Sequence, residues 1–373
     1  MTTDAIGLYL HIPYCLSRCN YCDFCSSKCG GAVPDEYIKA LCIEAERYSQ
    51  HKKIPVSTIY IGGGTPSLLS RRQLEFVISV LDKVFDISSN SEFTMEANPG
   101  TLTLDKLKGY KSLGVNRLSI GLQSIHNNEL KMLGRIHSFE DFLFSFEAAR
   151  SAGFDNISVD LMYGIPEQTP KSFKESVEKV CEIMPEHISS YGLIIEEGTP
   201  FYNNQNKLNI PTEDVECDMY YSACDMLAKK GYNHYEISNF CLDGRSCEHN
   251  LKYWRNEEYL GLGVSAYSYY KGVRFGNSRN ISDYILSPVS SCIDREVCDI
   301  EAEAFEYAMM RLRLREGVDL LDYKTRFGRD IYRDNQEVIE KYIALGLMKR
   351  SNEVISLTER GFYISNTILA EIL

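Results

Sequence analysis

Apolar and polar positions alternate with two different periods along the first 200 residues. Short runs of β-branched and aliphatic residues, such as Ile6–Ile12, predict strands, and the longer amphipathic stretches between them predict helices. The predicted strands are residues 6–12, 57–61, 92–97, 117–121, 157–162 and 187–194. The predicted helices are residues 34–50, 71–84 with Ser70 as N-cap, 104–113, 139–152 and 170–183.

This alternation is typical of a parallel sheet with helical crossovers. Glycines and polar residues follow several of the strands, at the carboxyl ends where α/β barrels hold their functional groups. A closed α/β barrel has eight strand–helix units, and the six predicted here are too few to close into a complete barrel. The sequence therefore predicts an α/β fold, a partial and open-sided (βα)6 barrel over residues 1–200, whose open side would suit a bulky substrate.

The pattern changes after residue 200. A helix is predicted over residues 212–229, and a loop-rich aromatic stretch follows over 232–270. From residue 299 the predicted helices are 302–314, 320–327 and 334–345, and a β-hairpin wing over 346–361 precedes a last helix. We therefore predict three parts, namely the barrel (1–200), a barrel extension (201–298) and a C-terminal helical, winged-helix-like domain (299–373).

Composition narrows the classes of function. Lys and Arg number 40 against 52 Asp and Glu, and this net charge of −12 disfavours nucleic-acid binding, which usually needs a basic surface. The chain has thirteen cysteines, and its first residues lack the basic and apolar segments of a signal peptide. Both features predict that the protein is located in the reducing cytoplasm. No apolar run reaches about 18 residues, so no transmembrane segment is expected, and transient contact with a membrane stays open.

Three cysteines near the start, Cys15, Cys19 and Cys22, have the spacing C-x3-C-x2-C in a predicted loop over 13–30. Three thiolates suit a cubane iron–sulfur cluster and would leave one of its four irons open to a ligand. The alternatives are a zinc site or buried small side chains. Cys25 and Cys29 could replace a ligand or bind a second metal, although spare thiols are the preferred interpretation.

Other candidate residues follow the predicted strands. Three glycines expose the backbone to a ligand, and a carboxylate at a strand end can accept hydrogen bonds from hydroxyls or an amine. A charged residue inside an apolar strand is unfavourable unless it is paired or functional. Arg135 and Asp160 could form a buried structural pair or clamp a bound nucleoside. The candidates are Gly62, Gly63, Gly64, Thr65, Glu96, Gln123, Arg135 and Asp160.

Taken together, these motifs resemble the coproporphyrinogen dehydrogenase-like branch of the radical S-adenosylmethionine (SAM) superfamily, over nearly the whole chain. The resemblance implies that Cys15, Cys19 and Cys22 bind a [4Fe-4S] cluster whose open iron holds the amino and carboxylate groups of SAM. It implies that an electron donor such as flavodoxin or ferredoxin reduces the cluster, which then cleaves SAM to a 5′-deoxyadenosyl radical. The positions implied to bind SAM are Tyr9, Tyr21, Gly62, Gly63, Gly64, Thr65, Glu96, Gln123, Arg135, Asp160 and Ile194.

Two subgroups of this branch differ in their motifs. The dehydrogenases carry a C-x-C at the third ligand and a long extension before the cluster, whereas this chain has Phe24 at that position and Cys25 one residue later. The HemW-type haem chaperones carry H-N-x-x-Y-W, which matches His249 to Trp254 here. Imidazole is a common axial ligand of haem iron, and Tyr253 and Trp254 could stack on a porphyrin. The alternative is that His249 fixes a loop beneath the barrel, and Cys241 and Cys247 could also bind iron.

The preferred interpretation is a haem chaperone that binds haem, the cluster and SAM, and delivers haem to an acceptor such as a respiratory membrane protein. The alternative is an oxygen-independent coproporphyrinogen III dehydrogenase, which would act in porphyrin biosynthesis. A radical SAM enzyme with another substrate, and a structural cluster protein without SAM chemistry, are the remaining hypotheses.

Overall fold

A computed structural model of the chain describes residues 5–373. Strands and helices alternate in its first part. The strands are β1 (Ile6–Ile12), β2 (Tyr14–Cys15), β3 (Ser27–Lys28), β4 (Ile54–Gly63), β5 (Phe85–Ala97), β6 (Arg117–Gln123), β7 (Ile157–Tyr163) and β8 (His187–Gly192). The helices are α1 (Asp35–Glu46), α2 (Arg71–Val84), α3 (Leu104–Ser112), α4 (Asn127–Met132), α5 (Phe139–Ser151) and α6 (Pro170–Glu182).

The middle of the chain adds four helices and six short strands. The helices are α7 (Pro200–Asn204), α8 (Glu213–Lys229), α9 (Glu248–Trp254) and α10 (Ile281–Leu286). The strands are β9 (Asn233–Glu236), β10 (Asn239–Cys241), β11 (Tyr259–Leu262), β12 (Tyr267–Tyr270), β13 (Val273–Asn277) and β14 (Cys292–Val297).

The last part is mainly helical. Its helices are α11 (Ile300–Arg311), α12 (Leu320–Phe327), α13 (Ile331–Asp334), α14 (Gln336–Ala344), α15 (Glu359–Tyr363) and α16 (Ser365–Ile372). Its strands are β15 (Val318–Asp319), β16 (Met348–Ser351) and β17 (Val354–Leu357), which form a small sheet in the order β15-β17-β16. The predicted hairpin is the antiparallel pair β16–β17.

One 12-stranded sheet dominates the molecule, in the order β14-β13-β12-β11-β1-β4-β5-β6-β7-β8-β10-β9. Its central strands from β11 to β8 are all parallel. Antiparallel strands continue the sheet at both edges. In the described residues the two edge strands do not pair with each other, so the sheet is open. The predicted α/β class and open barrel are confirmed, and β11 adds a parallel strand that the sequence did not indicate.

Local sequence explains where the helices begin. The Ser70 hydroxyl accepts the backbone N–H of Gln73 at 3.2 Å, and the Gln73 side chain accepts the N–H of Ser70 at 3.0 Å. This reciprocal pair satisfies two amides that the first turn of α2 leaves without helical partners. Pro170 begins α6 directly after its N-cap, Thr169, where the missing N–H of proline is not needed.

Alternation along the parallel strands separates an apolar core from a polar barrel interior. In β6, Leu118, Ile120 and Leu122 are fully buried in the hydrophobic core. The intervening residues line a cavity inside the barrel, as do alternate residues of β7 and β8. The cavity-lining residues of these three strands are Arg117, Ser119, Gly121, Gln123, Asp160, Met162, His187, Ser189, Tyr191 and Gly192.

Several predicted boundaries are wrong. The stretch 232–270, predicted to be loop-rich, contains α9 and four strands of three or four residues, too short to show a period in the sequence. The sixth strand was predicted to reach residue 194 but ends at Gly192. The division into three parts stays a prediction, although the large sheet takes strands from residues 6–297 and the small one from 318–357.

Candidate cofactor site

A cavity of about 500 Å³ opens at the carboxyl ends of the parallel strands and extends into the barrel. It brings together residues that lie far apart in the sequence, from the cysteine loop and from the ends of β4 to β8. The predicted site residues that line it are Cys15, Cys19, Tyr21, Cys22, Gly63, Gly64, Thr65, Glu96, Gln123, Arg135, Asp160 and Ile194.

The cysteine loop is closed by two short strands. Tyr14 and Cys15 pair with Ser27 and Lys28, and the N–H of Cys29 donates to the carbonyl of Cys15 at 2.9 Å. This pairing turns the intervening loop back over the cavity, so that the thiols of Cys15, Cys19 and Cys22 all line it. All three cysteines are free.

The surroundings of the thiols fit an iron–sulfur cluster. The Thr65 hydroxyl lies 3.4 Å from Cys15 Sγ, and the Arg135 guanidinium lies 3.6 Å from Cys19 Sγ. A Cβ at Gly64 would come within 2.9 Å of Cys15 Sγ, so glycine makes room for this sulfur. In residues 5–373, no group of three or more His, Cys, Asp or Glu side chains is close enough together to hold a single metal ion. The thiols line the cavity from separate positions, as they must if each binds a different iron.

Burial raises the pKa of the Cys15 thiol, and it raises the pKa of the Cys22 thiol to about 11. Thr65 and Arg135 act in the opposite direction on Cys15, because a hydroxyl donor and a nearby cation stabilise the thiolate. Since metals bind the thiolate, loading of a cluster must release protons from these side chains.

Glu96 is held at the end of β5 by two donors. Its Oε1 accepts the hydroxyl of Tyr60 at 2.8 Å, and its Oε2 accepts the N–H of Gly63 at 3.0 Å. Gly63 has a φ of +114°, and a Cβ there would lie 2.7 Å from the His11 ring. Burial raises the pKa of Glu96 to about 7, with Asp160 adding to the effect. Glu96 therefore changes charge close to neutral pH.

Arg135 faces the cysteine loop. Its Nη2 donates to Asn98 Oδ1 and to the carbonyl of Gly121, both at 2.7 Å. The sequence left open a structural ion pair between Arg135 and Asp160. Among the described residues this pair does not form, because no oxygen of Asp160 lies within 4.0 Å of a nitrogen of Arg135. Asp160 instead accepts the hydroxyl of Ser119 at 3.1 Å, and its carboxylate remains at the cavity.

Three predicted SAM positions lie at the margin of the cavity or outside it. Gly62 and Tyr9 do not line it, and the Tyr9 hydroxyl is bonded to His11 Nδ1 at 2.9 Å. Tyr9 borders a neighbouring cavity of about 300 Å³ together with Tyr253. Ile194 was placed in the sixth strand by the sequence, but it follows the end of β8 and is 70% exposed at the cavity rim.

The structure argues against His249 as an axial ligand of haem. His249 is fully buried, and its ring is stacked on Tyr60 with centroids 5.2 Å apart. Its Nδ1 is hydrogen-bonded to the Thr58 hydroxyl and its Nε2 to the Tyr253 hydroxyl, both at 2.8 Å. Burial lowers the pKa of His249 to about 3. With both ring nitrogens bonded inside the protein, neither is free to bind iron.

The rest of the H-N-x-x-Y-W segment is also integrated into the fold. Glu92 of β5 accepts the N–H groups of Glu248 and His249, both at 3.0 Å, and so holds the start of α9 against the barrel. Tyr253 packs edge-on against Tyr259, and the partly exposed Trp254 ends the helix. The alternative thiol ligands, Cys241 and Cys247, are buried. This segment is therefore bonded to β4 and β5, and its Asn250 lines the cavity.

Several residues of the site were missed by the sequence interpretation, among them Asn98, Asn250 and Arg117. Asn98 connects Thr65, which follows β4, with Arg135, which follows α4. Its Nδ2 donates to Thr65 Oγ1 at 2.8 Å, and its Oδ1 accepts from Arg135. Asn250 and Arg117 line the inner part of the cavity. Arg117 could have been found from its spacing, since it lies in the same alternating series as Gln123.

Comparisons with known proteins agree with this geometry. Residues 9–180 match the radical SAM superfamily, and residues 299–364 match the HemN C-terminal domain. The chain is similar to the heme chaperone HemW of Lactococcus lactis subsp. lactis (strain IL1403), with 38% identity over 98% of this chain and 96% of that protein. It is similar to the heme chaperone HemW of Bacillus subtilis (strain 168), with 37% identity over 98% of both.

Among solved structures, the chain resembles coproporphyrinogen III oxidase (HemN) from Escherichia coli, described as a radical SAM enzyme. The TM-score is 0.87, with 99% of this chain and 90% of that chain covered. The sequence identity is 21%, so this likeness concerns the fold alone.

Proposed function

Because this chain belongs to the HemW family of radical SAM proteins, we propose that it is a haem chaperone that binds haem, a [4Fe-4S] cluster and SAM, and delivers haem to acceptor haemoproteins. The observation that carries this proposal is the convergence of Cys15, Cys19 and Cys22 on the cavity that Glu96 and Arg135 also line. Near full-length similarity to proteins named heme chaperone HemW supports the haem-related part.

In this proposal Cys15, Cys19 and Cys22 hold the cluster and leave one iron for SAM. When bound, the cluster supplies the electron for reductive cleavage of SAM. Arg135 places a fixed positive charge beside the Cys19 sulfur, which offsets the negative charge of a thiolate-bound cluster.

The proposed SAM residues bind and orient the nucleoside. Gly63 and Gly64 present backbone without a side chain, so that SAM can approach closely. Glu96 and Asp160 offer carboxylate oxygens to hydroxyl or amine donors of the ligand, and Gln123 and Tyr21 complete the lining. Thr65 and Ile194 are proposed at the two sides of the same pocket.

Haem binding is proposed without His249 as the axial ligand, and the hydrogen bonds of its two ring nitrogens to Thr58 and Tyr253 support this. The H-N-x-x-Y-W segment is proposed to maintain the inner end of the barrel instead. A haem-accepting respiratory protein and a flavodoxin or ferredoxin are the proposed partners, and the cytoplasm is the proposed location. In residues 5–373 none of the helices combines the length and the apolar character needed to cross a membrane.

The test is anaerobic reconstitution of the full chain followed by haem titration, with and without SAM. We expect stoichiometric haem binding to wild-type protein and to Cys25→Ser, whose thiol lies in the same loop but outside the C-x3-C-x2-C motif. We expect Cys22→Ser to lose the cluster. Failure of the wild-type chain to bind haem would overturn the proposal.

A second incubation separates the chaperone from the dehydrogenase. Reduced, cluster-loaded protein is supplied with SAM and coproporphyrinogen III, and the products are analysed. Unchanged substrate is expected, because Phe24 stands where the dehydrogenases have a further cysteine. Formation of a vinyl-bearing product would favour the enzymatic alternative.

A further inference from the structure

A second cavity, of about 300 Å³, borders the cysteine loop next to the cavity proposed for SAM. Asp23 and Phe24 of the loop line both cavities. Tyr9, which lines the second cavity, is stacked on Tyr60, which lines the first, with ring centroids 6.2 Å apart. The second cavity is therefore a direct neighbour of the proposed cluster and SAM site.

The lining of the second cavity is rich in aromatic rings. Phe24 and Tyr267 are 63% and 43% exposed, so a ligand can reach their rings from solvent. Tyr253 and Tyr259 pack edge-on against each other with centroids 4.6 Å apart, and Tyr9 completes the aromatic part of the lining. Rings of this kind suit a planar apolar ligand, because they can stack on its faces or pack against its edges.

The second cavity also contains a thiol that the cluster is not proposed to use. Cys25 lines it and is partly exposed. Its thiol donates to the carbonyl of Arg279 over 3.3 Å, a weak bond that uses the proton and leaves the lone pairs of the sulfur free. His11 Nε2 is bonded to the carbonyl of Cys25 at 2.8 Å, which fixes the backbone there. Unlike His249, Cys25 therefore keeps an atom that can bind iron.

The other donors at the second cavity are less suited to iron. His11 has both ring nitrogens bonded, because its Nδ1 is bonded to the Tyr9 hydroxyl at 2.9 Å. The Tyr253 hydroxyl is bonded to His249. A thiol gives up its proton more readily than the phenol of Tyr259, and a cysteine thiolate is a known axial ligand of haem iron. Cys25 is therefore the preferred ligand among the residues of this cavity.

Charges of both signs lie around the second cavity. Arg279 lines it as an exposed cation, and within residues 5–373 it makes no ion pair shorter than 4.0 Å. Burial raises the pKa of the Cys25 thiol, and the guanidinium groups of Arg279 and Arg18 act in the opposite direction, so both cations lie near the sulfur. Asp23 lines the same cavity, and Asp294 accepts the hydroxyl of one of its tyrosines at 3.2 Å. Two cations and two carboxylates balance, which suits a ligand with a pair of carboxylates better than a polyphosphate.

We propose that haem binds in the second cavity, with the porphyrin against the rings of Phe24 and Tyr267, the iron on the sulfur of Cys25 and a propionate on Arg279. This inference rests on the proposed function, because it names the site of the haem that the chaperone carries. Binding of ferric haem forms one iron–sulfur bond, breaks the S–H bond of Cys25 and releases the proton to solvent, without a change of oxidation state. A haem is larger than this cavity, so part of it stays outside the protein, where an acceptor can reach it.

The experiment titrates ferric haem into the anaerobic full chain, loaded with oxidised cluster and saturated with SAM, and records absorption and electron paramagnetic resonance spectra. Because the cluster occupies Cys15, Cys19 and Cys22, these thiols cannot supply a thiolate signal. We expect one haem per chain with the spectrum of thiolate-ligated iron. Cys25→Ser should still take up one haem, held by the aromatic rings, but should lose that spectrum. The matched control Cys29→Ser changes a thiol of the same loop that does not line the cavity, and it should keep the spectrum.

Two further variants test the walls of the second cavity. Tyr267→Ala should weaken haem binding about fivefold, because a stacking ring is lost. Its control Tyr202→Ala, which changes a partly exposed ring outside both cavities, should leave the affinity unchanged. Arg279→Met should weaken haem binding about threefold. Its control Arg295→Met removes an exposed cation that does not line the cavity and should have no effect.

The outcomes distinguish this site from the proposed function on which it rests. Absence of haem binding by the wild-type chain would overturn both. Haem binding with the same spectrum in wild type and Cys25→Ser would overturn the site alone. Binding by Tyr267→Ala and Arg279→Met as tight as that of their controls would also overturn the site alone. All variants change accessible side chains, and the cluster content of each one shows whether it has folded.

Discussion

The cysteine loop (13–30) and helix α9, which carries H-N-x-x-Y-W, both border one cavity of the barrel. The loop follows β1 and covers the carboxyl ends of the strands, whereas α9 is bound by Glu92 and Thr58, which precede the cavity-lining Glu96 and Gly63 along β5 and β4. The three motif cysteines line a cavity. The motif histidine instead has both ring nitrogens bonded to protein hydroxyls.

This difference shows that a specific sequence motif does not by itself identify a ligand-binding residue. Both motifs were informative enough to indicate the same family, yet only the cysteine motif leaves its potential donor residues at the cavity. Whether a side chain can bind a metal depends on the hydrogen bonds it already makes in the fold, because a nitrogen that bonds to the protein is not available to a metal.

The comparison is tested most strongly by removing one thiol. Cys22→Ser is expected to abolish the cluster, because two cysteines cannot hold three irons of a cubane. Iron content and visible absorption after anaerobic reconstitution measure this. Cys29→Ser, in the same loop, is the control and should retain the cluster; equal cluster loss in both variants would contradict the assignment of the ligands.

His249→Ala should destabilise the fold by about 4 kcal/mol, because it creates a cavity and leaves the buried hydroxyls of Thr58 and Tyr253 without their partner. Urea unfolding of the ligand-free chain measures this. His51→Ala, at an exposed position, should change stability little. If His249→Ala unfolded like wild type but failed to bind haem, α9 would have to be reassigned from structure to ligand binding.

The raised pKa of Glu96 predicts how the stability of the fold changes with pH. Its pKa is raised to about 7 in the folded chain, so the folded state binds a proton that the unfolded state releases at lower pH. The associated stability is present below the unfolded pKa and is lost as pH rises towards about 7. Between about pH 5 and pH 8, the unfolding free energy of wild type should fall by about 3 kcal/mol more than that of Glu96→Gln. Parallel pH profiles for the two proteins would disprove the raised pKa.

Glu92→Gln should have the smallest effect. The variant keeps one acceptor for the start of α9 but loses the negative charge, so a loss of about 1 kcal/mol is expected from urea unfolding. Hydrogen exchange at the amides of Glu248 and His249 should accelerate specifically. Unchanged exchange at both amides would show that other contacts hold α9 in place.

Much of the fold could be predicted because local signals were strong. The apolar run of β1, the N-cap of α2 at Ser70 and the extent of α12 were all predicted as they occur. The residues at the ends of β4 to β7 were predicted to come together because parallel strands end at one edge of a sheet, and all of them except Gly62 line the cavity.

What could not be predicted depends on distant contacts. The parallel pairing of β11 with β1 joins segments from opposite ends of the barrel sequence. The burial of His249 depends on Thr58 and Tyr60, far away in the chain. The exposure of Ile194 depends on where β8 stops pairing with β7, which is at Gly192. None of these contacts leaves a local period in the sequence.

The position of β1 between β4 and β11 has a consequence for how the protein is made. Leu8 pairs with Ile59 of β4 and with Leu260 of β11, and Leu260 is translated about 250 residues after Leu8. The second pairing therefore forms only after Leu260 has left the ribosome. The cysteine loop is translated immediately after β1, so its thiols emerge long before that flank of the barrel is complete. We therefore expect a nascent chain that stops before residue 259 to leave β1 without its neighbour on this side of the sheet.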